Sequence, residues 1–480
     1  MIAQSQAPAA RVPLIAGPPT AFRLPYSWVW PLAYAGIATL AALVWFRVMV
    51  RPADVSSAAG TMLIGTLASG LCAILGCYLV LRRMSLLGDA ISHAVLPGIA
   101  IAFFFTGQPY GVGILLGAMA LGMLTSFLTQ SLHSLGRVSE DASMGVVFTS
   151  LFALGVILIQ SWASRAHLDA DCVLYGQLEY AWGTTVPIFG IEVPRSLVAL
   201  LPAGILTGIF VALLWKELKI VSFDPALAGA MGFSVTLVHY LLMAMVAGVT
   251  VASFESVGSI LVVAMLIVPA ATAGLMTDRL ATMLGWAVLF AATSAVFGYL
   301  SAYALNTNVA GMMATIAGLQ FAGAVFLAPR YGLAGRWLRN LSLSIRIASE
   351  DIIGRLYREE EAGTASLRPE LRTEVSGLVG NLARWRLRRW GLASGSFHHL
   401  QLTDSGRTAA RNLIRAHRLW ETYLETHFNL PADHLHAPAE RMEHFLLDPA
   451  LQSALTAALP GRAVDPHGKK IPDDEASPGP

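Results

Sequence analysis

Charge is what this 480-residue chain has least of where it would most be needed. Residues 1–329 hold 12 basic and 12 acidic side chains, whereas residues 330–480 hold 20 and 18. A stretch so poor in charge cannot surface an ordinary soluble domain, so a single soluble globular enzyme is excluded. The formal net charge of +2 specifies neither an acidic nor a basic partner. Cysteine is scarce too: Cys72, Cys77 and Cys172 are the only three, which excludes a disulfide-built secreted module. Cys72 and Cys77 lie in an apolar run and read as small buried hydrophobes rather than a metal or redox pair. Lysine occurs four times, at 216, 219, 469 and 470, and none completes G-x-x-x-x-G-K-[ST]. The chain therefore carries no nucleotide-binding loop of that type, and no ATP site is expected in it.

Long uncharged runs are what the first two thirds hold instead. They extend over 24–46, 55–81, 90–136, 142–164, 196–215, 225–254, 256–277 and 280–329. A helical span needs about 20 apolar residues, and the runs from Ala90 and Leu280 hold two each, giving about ten spans. Turns are expected at Gly107-Gln108-Pro109-Tyr110 and Asn306-Thr307-Asn308. No signal peptide is evident in the Pro/Ala-rich first 23 residues. With a cytoplasmic N-terminus, Arg82/Arg83, Arg137, Lys216/Lys219 and Arg279 fall inside, and Arg47 and Arg51 are exceptions. An even number of spans then returns the tail to the cytoplasm. The expected location is the inner (plasma) membrane, multi-pass, with a cytoplasmic C-terminal domain and lipid as its surroundings.

The most informative membrane segment is Arg82-Arg83-Met84-Ser85-Leu86-Leu87-Gly88-Asp89-Ala90-Ile91-Ser92-His93-Ala94-Val95-Leu96-Pro97-Gly98. Asp89 and His93 are four apart and share a helix face. A carboxylate and an imidazole near a bilayer are costly unless they face a cavity or a partner. Mixed oxygen and nitrogen donation suits Mn²⁺, Fe²⁺ or Zn²⁺. An Asp–His hydrogen bond at a helix end is the alternative. Pro97 cannot donate to the His93 carbonyl, so the helix is expected to break there. His133, His239 and Glu255, near predicted helix ends, read as structural.

This stretch resembles the hallmark of ABC permeases that import zinc, manganese or iron. The similarity continues through Ser222-Phe223-Asp224-Pro225-Ala226-Leu227-Ala228, Val257-Gly258, Ile267-Val268-Pro269-Ala270-Ala271-Thr272-Ala273 and Thr277-Asp278-Arg279, over roughly residues 55–330. The resemblance implies that Asp89 and His93 line the metal path. It implies that Asp224 and Pro225 open a short helix that couples to a separate ABC ATPase subunit. It also implies an extracytoplasmic metal-binding protein as partner, and pairing as a homodimer or with a second permease. On the residues alone, Asp224-Pro225 is a capped helix start.

After Pro329 the composition changes. Arg330 to Arg346 reads as a basic linker or surface helix, and Ser349 as the cap of a helix through Tyr357. Arg384, Arg386, Arg388 and Arg389, interleaved with Trp385 and Trp390, suit phosphate contact, or equally a solvated or membrane-facing helix. His417 and Glu421 are i,i+4; Glu440, Glu443 and His444 are i, i+3 and i+4, placed on one side of a helix, with His436 just before it. An exposed charged helix face is the alternative. A Glu, His and Asp ligand set without Cys favours Mn²⁺ or Fe²⁺ over structural zinc.

From Leu402-Thr403-Asp404-Ser405-Gly406-Arg407 to Asp465-Pro466-His467-Gly468-Lys469-Lys470-Ile471-Pro472 the tail is similar to iron- and manganese-dependent repressors of the diphtheria-toxin-repressor type. The resemblance implies that Asp351, His417, Glu440, Glu443 and His444 form one metal cluster, and that His417, Glu421 and His436 match ligands of the iron-type members. Glu440 and Asp351 stand where iron-type members place Cys and Met, so the chain looks manganese-type. Gly354 replaces a glutamate of manganese-type regulators, leaving one ligand of a binuclear site unfilled. The usual recognition-helix pattern is replaced by Leu378-Val379-Gly380-Asn381-Leu382-Ala383-Arg384-Trp385, which argues against sequence-specific DNA reading. The third, SH3-like domain of that family is not expected, because the chain stops soon after Pro472.

The expected fold is an all-α polytopic membrane domain of the ABC-3 permease type, followed by a mainly α winged-helix and metal-binding/dimerisation domain. Its parts are an N-terminal extension (1–27), the transmembrane permease domain (28–330), a linker (331–347), a degenerate winged-helix-like domain (348–408), the metal-binding and dimerisation domain (409–472) and a disordered tail (473–480). The expected function is the permease subunit of a manganese or iron importer, with zinc as a third candidate, carrying a metal-sensing tail. A membrane-tethered, metal-dependent transcriptional regulator is the alternative, and a vestigial tail a third.

Overall fold

The computed structural model describes residues 29–107, 112–136, 138–162, 178–188, 191–328, 331–363, 377–396, 399–428, 435–444, 446–459 and 461–472. The expected turn residues 108–110, the segments 163–177 and 189–190, and Cys172 within the former lie outside them. The chain divides into two compact units that part at Gly335–Arg336.

The first unit is helical. Helices α1 (Val29–Met49), α2 (Val55–Leu81), α3 (Ser85–Ala94), α4 (Leu96–Thr106), α5 (Val112–Gly136) and α6 (Glu140–Trp162) precede a two-stranded antiparallel hairpin, β1 (Thr185–Ile188) and β2 (Ile191–Pro194). Then come α7 (Arg195–Leu213), α8 (Trp215–Phe223), α9 (Pro225–Ala230), α10 (Val235–Met276), α11 (Leu280–Leu305) and α12 (Val309–Leu327). Among the described residues, nine helical segments are long and apolar enough to cross a membrane. Two of these are the halves of α10, Val235–Phe254 and Ser256–Met276. The run from Ala90 does not give two full spans: the helix is interrupted at Val95, two residues before Pro97, leaving α3 and α4 as short pieces. Asn306, left-handed at φ 51°, ends α11, and the Asn308 side chain accepts from Gly311 N at 2.7 Å to start α12, so the second expected turn forms.

Helix α2 packs against α10 and α11, with most of its residues between Ala58 and Leu79 buried. Lipid offers apolar side chains no reason to hide, so close approach of small residues holds such bundles together. A Cβ at Gly76 would stand 1.7 Å from the Leu266 carbonyl oxygen, so only glycine lets these backbones meet. Helix α1 keeps Leu32, Ile37, Leu40 and Val48 exposed, as a bilayer-facing helix does.

The second unit starts with α13 (Leu333–Glu361), which begins just before the parting. It runs unbroken through Ser349, which caps nothing: its hydroxyl donates to the Ile345 carbonyl at 2.6 Å inside the helix. The cap expectation fails because Ile345, Ala348 and Ile353 carry the apolar periodicity across Ser349, and a serine can satisfy itself on the preceding turn. Helix α14 (Leu378–Arg389) leads into an antiparallel hairpin, β3 (Ala393–Ser396) with β4 (His399–Leu402). Gly377 at φ 99° precedes α14, and Gly380 is buried inside it. The long α15 (Asp404–Phe428) carries two small cores along its length. Ile353, Leu387, Leu392, Leu402 and Ala410 form one; Leu419, Leu446, Leu455, Leu459 and Ile471 form the other, closed by α16 (His436–Met442) and α17 (Pro449–Ala458).

Candidate metal centres

Helix α15 puts His417 and Glu421 one turn apart on its buried face, at 4 % and 1 % exposure. His417 Nε2 lies 3.0 Å from Glu421 Oε1, and His436, the first residue of α16, brings its Nδ1 to 3.0 Å from the same oxygen. Asp351 of α13, Glu443 at the end of α16, and His444 form a second group, with His444 Nε2 3.4 Å from Asp351 Oδ1. Within each trio one ligand atom per residue lies within 4.8 Å of the others, which is compatible with one ion. His417 Nδ1 to Glu443 Oε2, at 2.5 Å, joins the two. These donors fit a hard-to-borderline divalent cation: carboxylate oxygens and imidazole nitrogens, buried except at exposed His436 and half-buried Asp351, with no thiolate.

Glu440 does not join them. Helix α16 ends at Met442, and Glu440 is exposed while Glu443 is buried. The i,i+3,i+4 spacing presumes a helix that continues through His444, and this one stops.

Three contributors were not singled out from the sequence. Glu350, fully buried, accepts from His444 Nδ1 at 2.7 Å and from Arg346 Nε at 2.9 Å. Arg358 lies 3.8 Å from Glu443. His467 Nε2 comes to 3.8 Å from Glu421 because Arg415 and Arg418 hold the final segment, donating to the Pro472 and Lys470 carbonyls. The Arg346–Glu350 i,i+4 pair was legible in the sequence; the others depend on how the chain returns.

Burial lowers the His417 imidazolium's affinity for its proton, but hydrogen bonds and charge from Glu421 and Glu443 outweigh it and push its pKa up to about 8. Burial likewise opposes His444, which Asp351 and Glu350 push up to about 9. Glu421 is pulled down to about 2: burial opposes ionisation, and His417, His436 and His467 prevail. His417 and His444 are thus each held as a proton-bearing partner of a carboxylate. A divalent cation would take the proton's place.

In the membrane unit, His93 on α3 is partly buried between Phe148 and Phe152 of α6, at ring distances of 6.2 and 5.8 Å. Asp89 is one turn earlier; its side chain lies outside the described residues, as does that of Glu255. His239 pairs with Ser126 at 2.8 Å and His133 with the Val138 carbonyl at 2.8 Å. Asp224 caps α9, accepting from Leu227 N at 2.9 Å with Pro225 at the first helical position. Phe223, Leu227 and Met231 stand exposed around it, and Arg82 Nε donates to Ser222 Oγ at 3.3 Å.

On α14, the Arg386 guanidinium sits 4.1 Å from the Trp390 ring centre and that of Arg389 5.3 Å from Trp385. Arg384 donates to Asn381 at 3.1 Å. Trp385 and Trp390 thus each make a cation–π contact with an arginine of this segment.

Residues 57–328 match the ABC 3 transport family, and residues 403–473 match the iron dependent repressor, metal binding and dimerisation domain. The chain is 46 % identical over 280 residues to the manganese transport system membrane protein MntD of Bacillus subtilis, covering 58 % of this chain and 95 % of that one. It is 40 % identical over 292 residues to the zinc transport system membrane protein TroD of Treponema pallidum, covering 60 % and 79 %. Among solved structures, PsaBC from Streptococcus pneumoniae in complex with Fab matches with a TM-score of 0.50 at 32 % identity, over 57 % of this chain and 92 % of that one.

Proposed function

The chain belongs to the ABC 3 transport family, and from that premise we propose that it is the permease subunit of a divalent-metal importer whose tail senses the imported ion. The cargo is manganese or iron, with zinc a third candidate. The observation that carries this is the joining of a manganese- and zinc-type permease to a domain with two oxygen/nitrogen ligand groups in one polypeptide.

An extracytoplasmic binding protein delivers the ion, which passes the Asp89–His93 helix. A separate ATPase docks at the Asp224-capped helix, where exposed Phe223, Leu227 and Met231 supply apolar contact. Two permeases pair, as a homodimer or with a second permease. The tail lies in the cytoplasm, where the ion emerges. Asp351, Glu443 and His444, and His417, Glu421 and His436, would hold a resident Mn²⁺ or Fe²⁺ there. That ion would supply a positive charge around which α13, α15 and α16 are drawn together. Transport slows when it is bound, by as much as the ion prefers the restraining arrangement.

The test is metal uptake by the Asp89→Ala, His93→Ala double variant. Loss of uptake with ATPase association intact is the expected result; normal uptake overturns the path.

The helix–hairpin pair at α14 and β3–β4 favours a second reading, a membrane-tethered DNA-binding regulator. Metal-dependent binding of the full chain to its own promoter DNA, persisting as salt is raised, would support that reading. Binding that is metal-independent and falls steeply with salt would reflect phosphate attraction alone.

A further inference from the structure

Hydroxyl groups in the membrane unit follow one habit with a local exception. Thr106, Thr125, Thr149, Thr207, Thr272 and Thr293 each donate to the carbonyl four residues earlier on their own helix. The buried hydroxyls of Thr250, Ser256 and Ser259 on α10 have no hydrogen-bond partner, nor do those of Ser69 and Tyr78 on α2 and Thr129 on α5. The buried hydroxyl of Ser253 on α10 likewise has none. Among the described residues, these unpartnered hydroxyls all lie on α10 or on helices packed against it. A buried hydroxyl that forgoes an available carbonyl is costly, the more so away from water.

The same stretch of α10 is broken. Gly258, three residues into the second span-length half, adopts φ 76° and ψ 161°, a conformation open to glycine alone. A break of this kind frees the carbonyls of the preceding turn. Within hydrocarbon, freed backbone is tolerated where it lines a polar space. Beyond the break, Leu266 packs so tightly on Gly88 of α3 that a Cβ there would stand 2.2 Å from its methyl. Helix α3 is the one that carries Asp89 and His93.

We propose that Thr250, Ser256 and Ser259, with Ser69 from α2 and the carbonyls freed at Gly258, form a second station for the transported cation. This rests on the importer reading. The station is built of neutral oxygens, unlike the carboxylate–imidazole pair on α3. Neutral hydroxyl and carbonyl donors replace part of a cation's hydration shell without trapping it, as a step toward release requires. Hard oxygen donors suit Mn²⁺, whereas zinc gains more from sulfur or nitrogen.

The experiment uses the full chain reconstituted with its ATPase and binding protein in vesicles, with ATP-driven uptake of radioactive manganese and zinc as the readout. Ser256→Ala with Ser259→Ala is expected to lower maximal manganese uptake about tenfold with KM little changed. Ser256→Cys with Ser259→Cys, nearly isosteric, is expected to raise the zinc-to-manganese ratio about tenfold. The cysteine pair carries the test should the alanine pair fail to assemble. Wild-type rates and ratio in both double variants overturn the station while leaving the importer reading intact. Absence of metal uptake by the unmodified chain overturns the importer reading and the station with it.

Discussion

His417 and His444 hold their protons because buried carboxylates face them, and this fixes the pH behaviour of the tail. Both are raised in the folded state above the ordinary 6.5, to about 8 and about 9. Their pairing therefore stabilises the metal-free tail fully below pH 6.5, and that contribution fades as pH rises through 8 and 9. A thermal midpoint that falls across this window without metal, and far less with manganese, is the expected result. At neutral pH, manganese binding should displace these protons, and calorimetry in buffers of different ionisation enthalpy should register their release. Glu350 acts through His444 rather than as a ligand among those gathered. Glu350→Gln keeps the shape but removes the charge that orients the ring. It should weaken metal at the Asp351 group by about 10- to 100-fold, the usual effect of losing an outer-shell partner. Retention of full affinity would reduce Glu350 to a structural ion pair with Arg346.

Elements show where sequence reading succeeded and where geometry intervened. Pro97, Asn306 and Asp224 act within a few residues of themselves, so the break before α4, the turn into α12 and the cap of α9 were all legible. Asp224→Ala should cost about 1 kcal/mol at that cap. The expected readout is weaker ATPase co-purification with the permease otherwise intact. Ser349 and Glu440 misled because each was read against a helix boundary that tertiary packing moved: α13 runs through the first, and α16 stops short of serving the second. Glu350 and His467 reach the metal groups through chain returns that local spacing does not encode. Close helix approach is likewise invisible in a pattern of apolar letters. At Gly76, even Ala would drive a Cβ into the Leu266 carbonyl, so Gly76→Ala should abolish stable insertion, measured as loss of detergent-extractable, monodisperse protein.

Across the whole molecule, the abrupt change in charge density near residue 330 marks the parting between two units found at Gly335–Arg336. Each carries its own donors, carboxylate and imidazole in both. The membrane unit matches permeases of manganese and zinc systems, and the second unit matches a metal-binding and dimerisation domain. Under the proposed function, such a polypeptide would set its own rate of import by the ion it has already delivered. Vesicles holding the full chain, its ATPase and its binding protein test this most directly, with manganese uptake followed as free manganese on the tail side is raised. The account predicts ATP-dependent uptake that slows as that concentration climbs, and a His417→Ala, His444→Ala variant that stays fast. Uptake that ignores tail-side manganese in the unmodified protein, or slows equally in the variant, would contradict it.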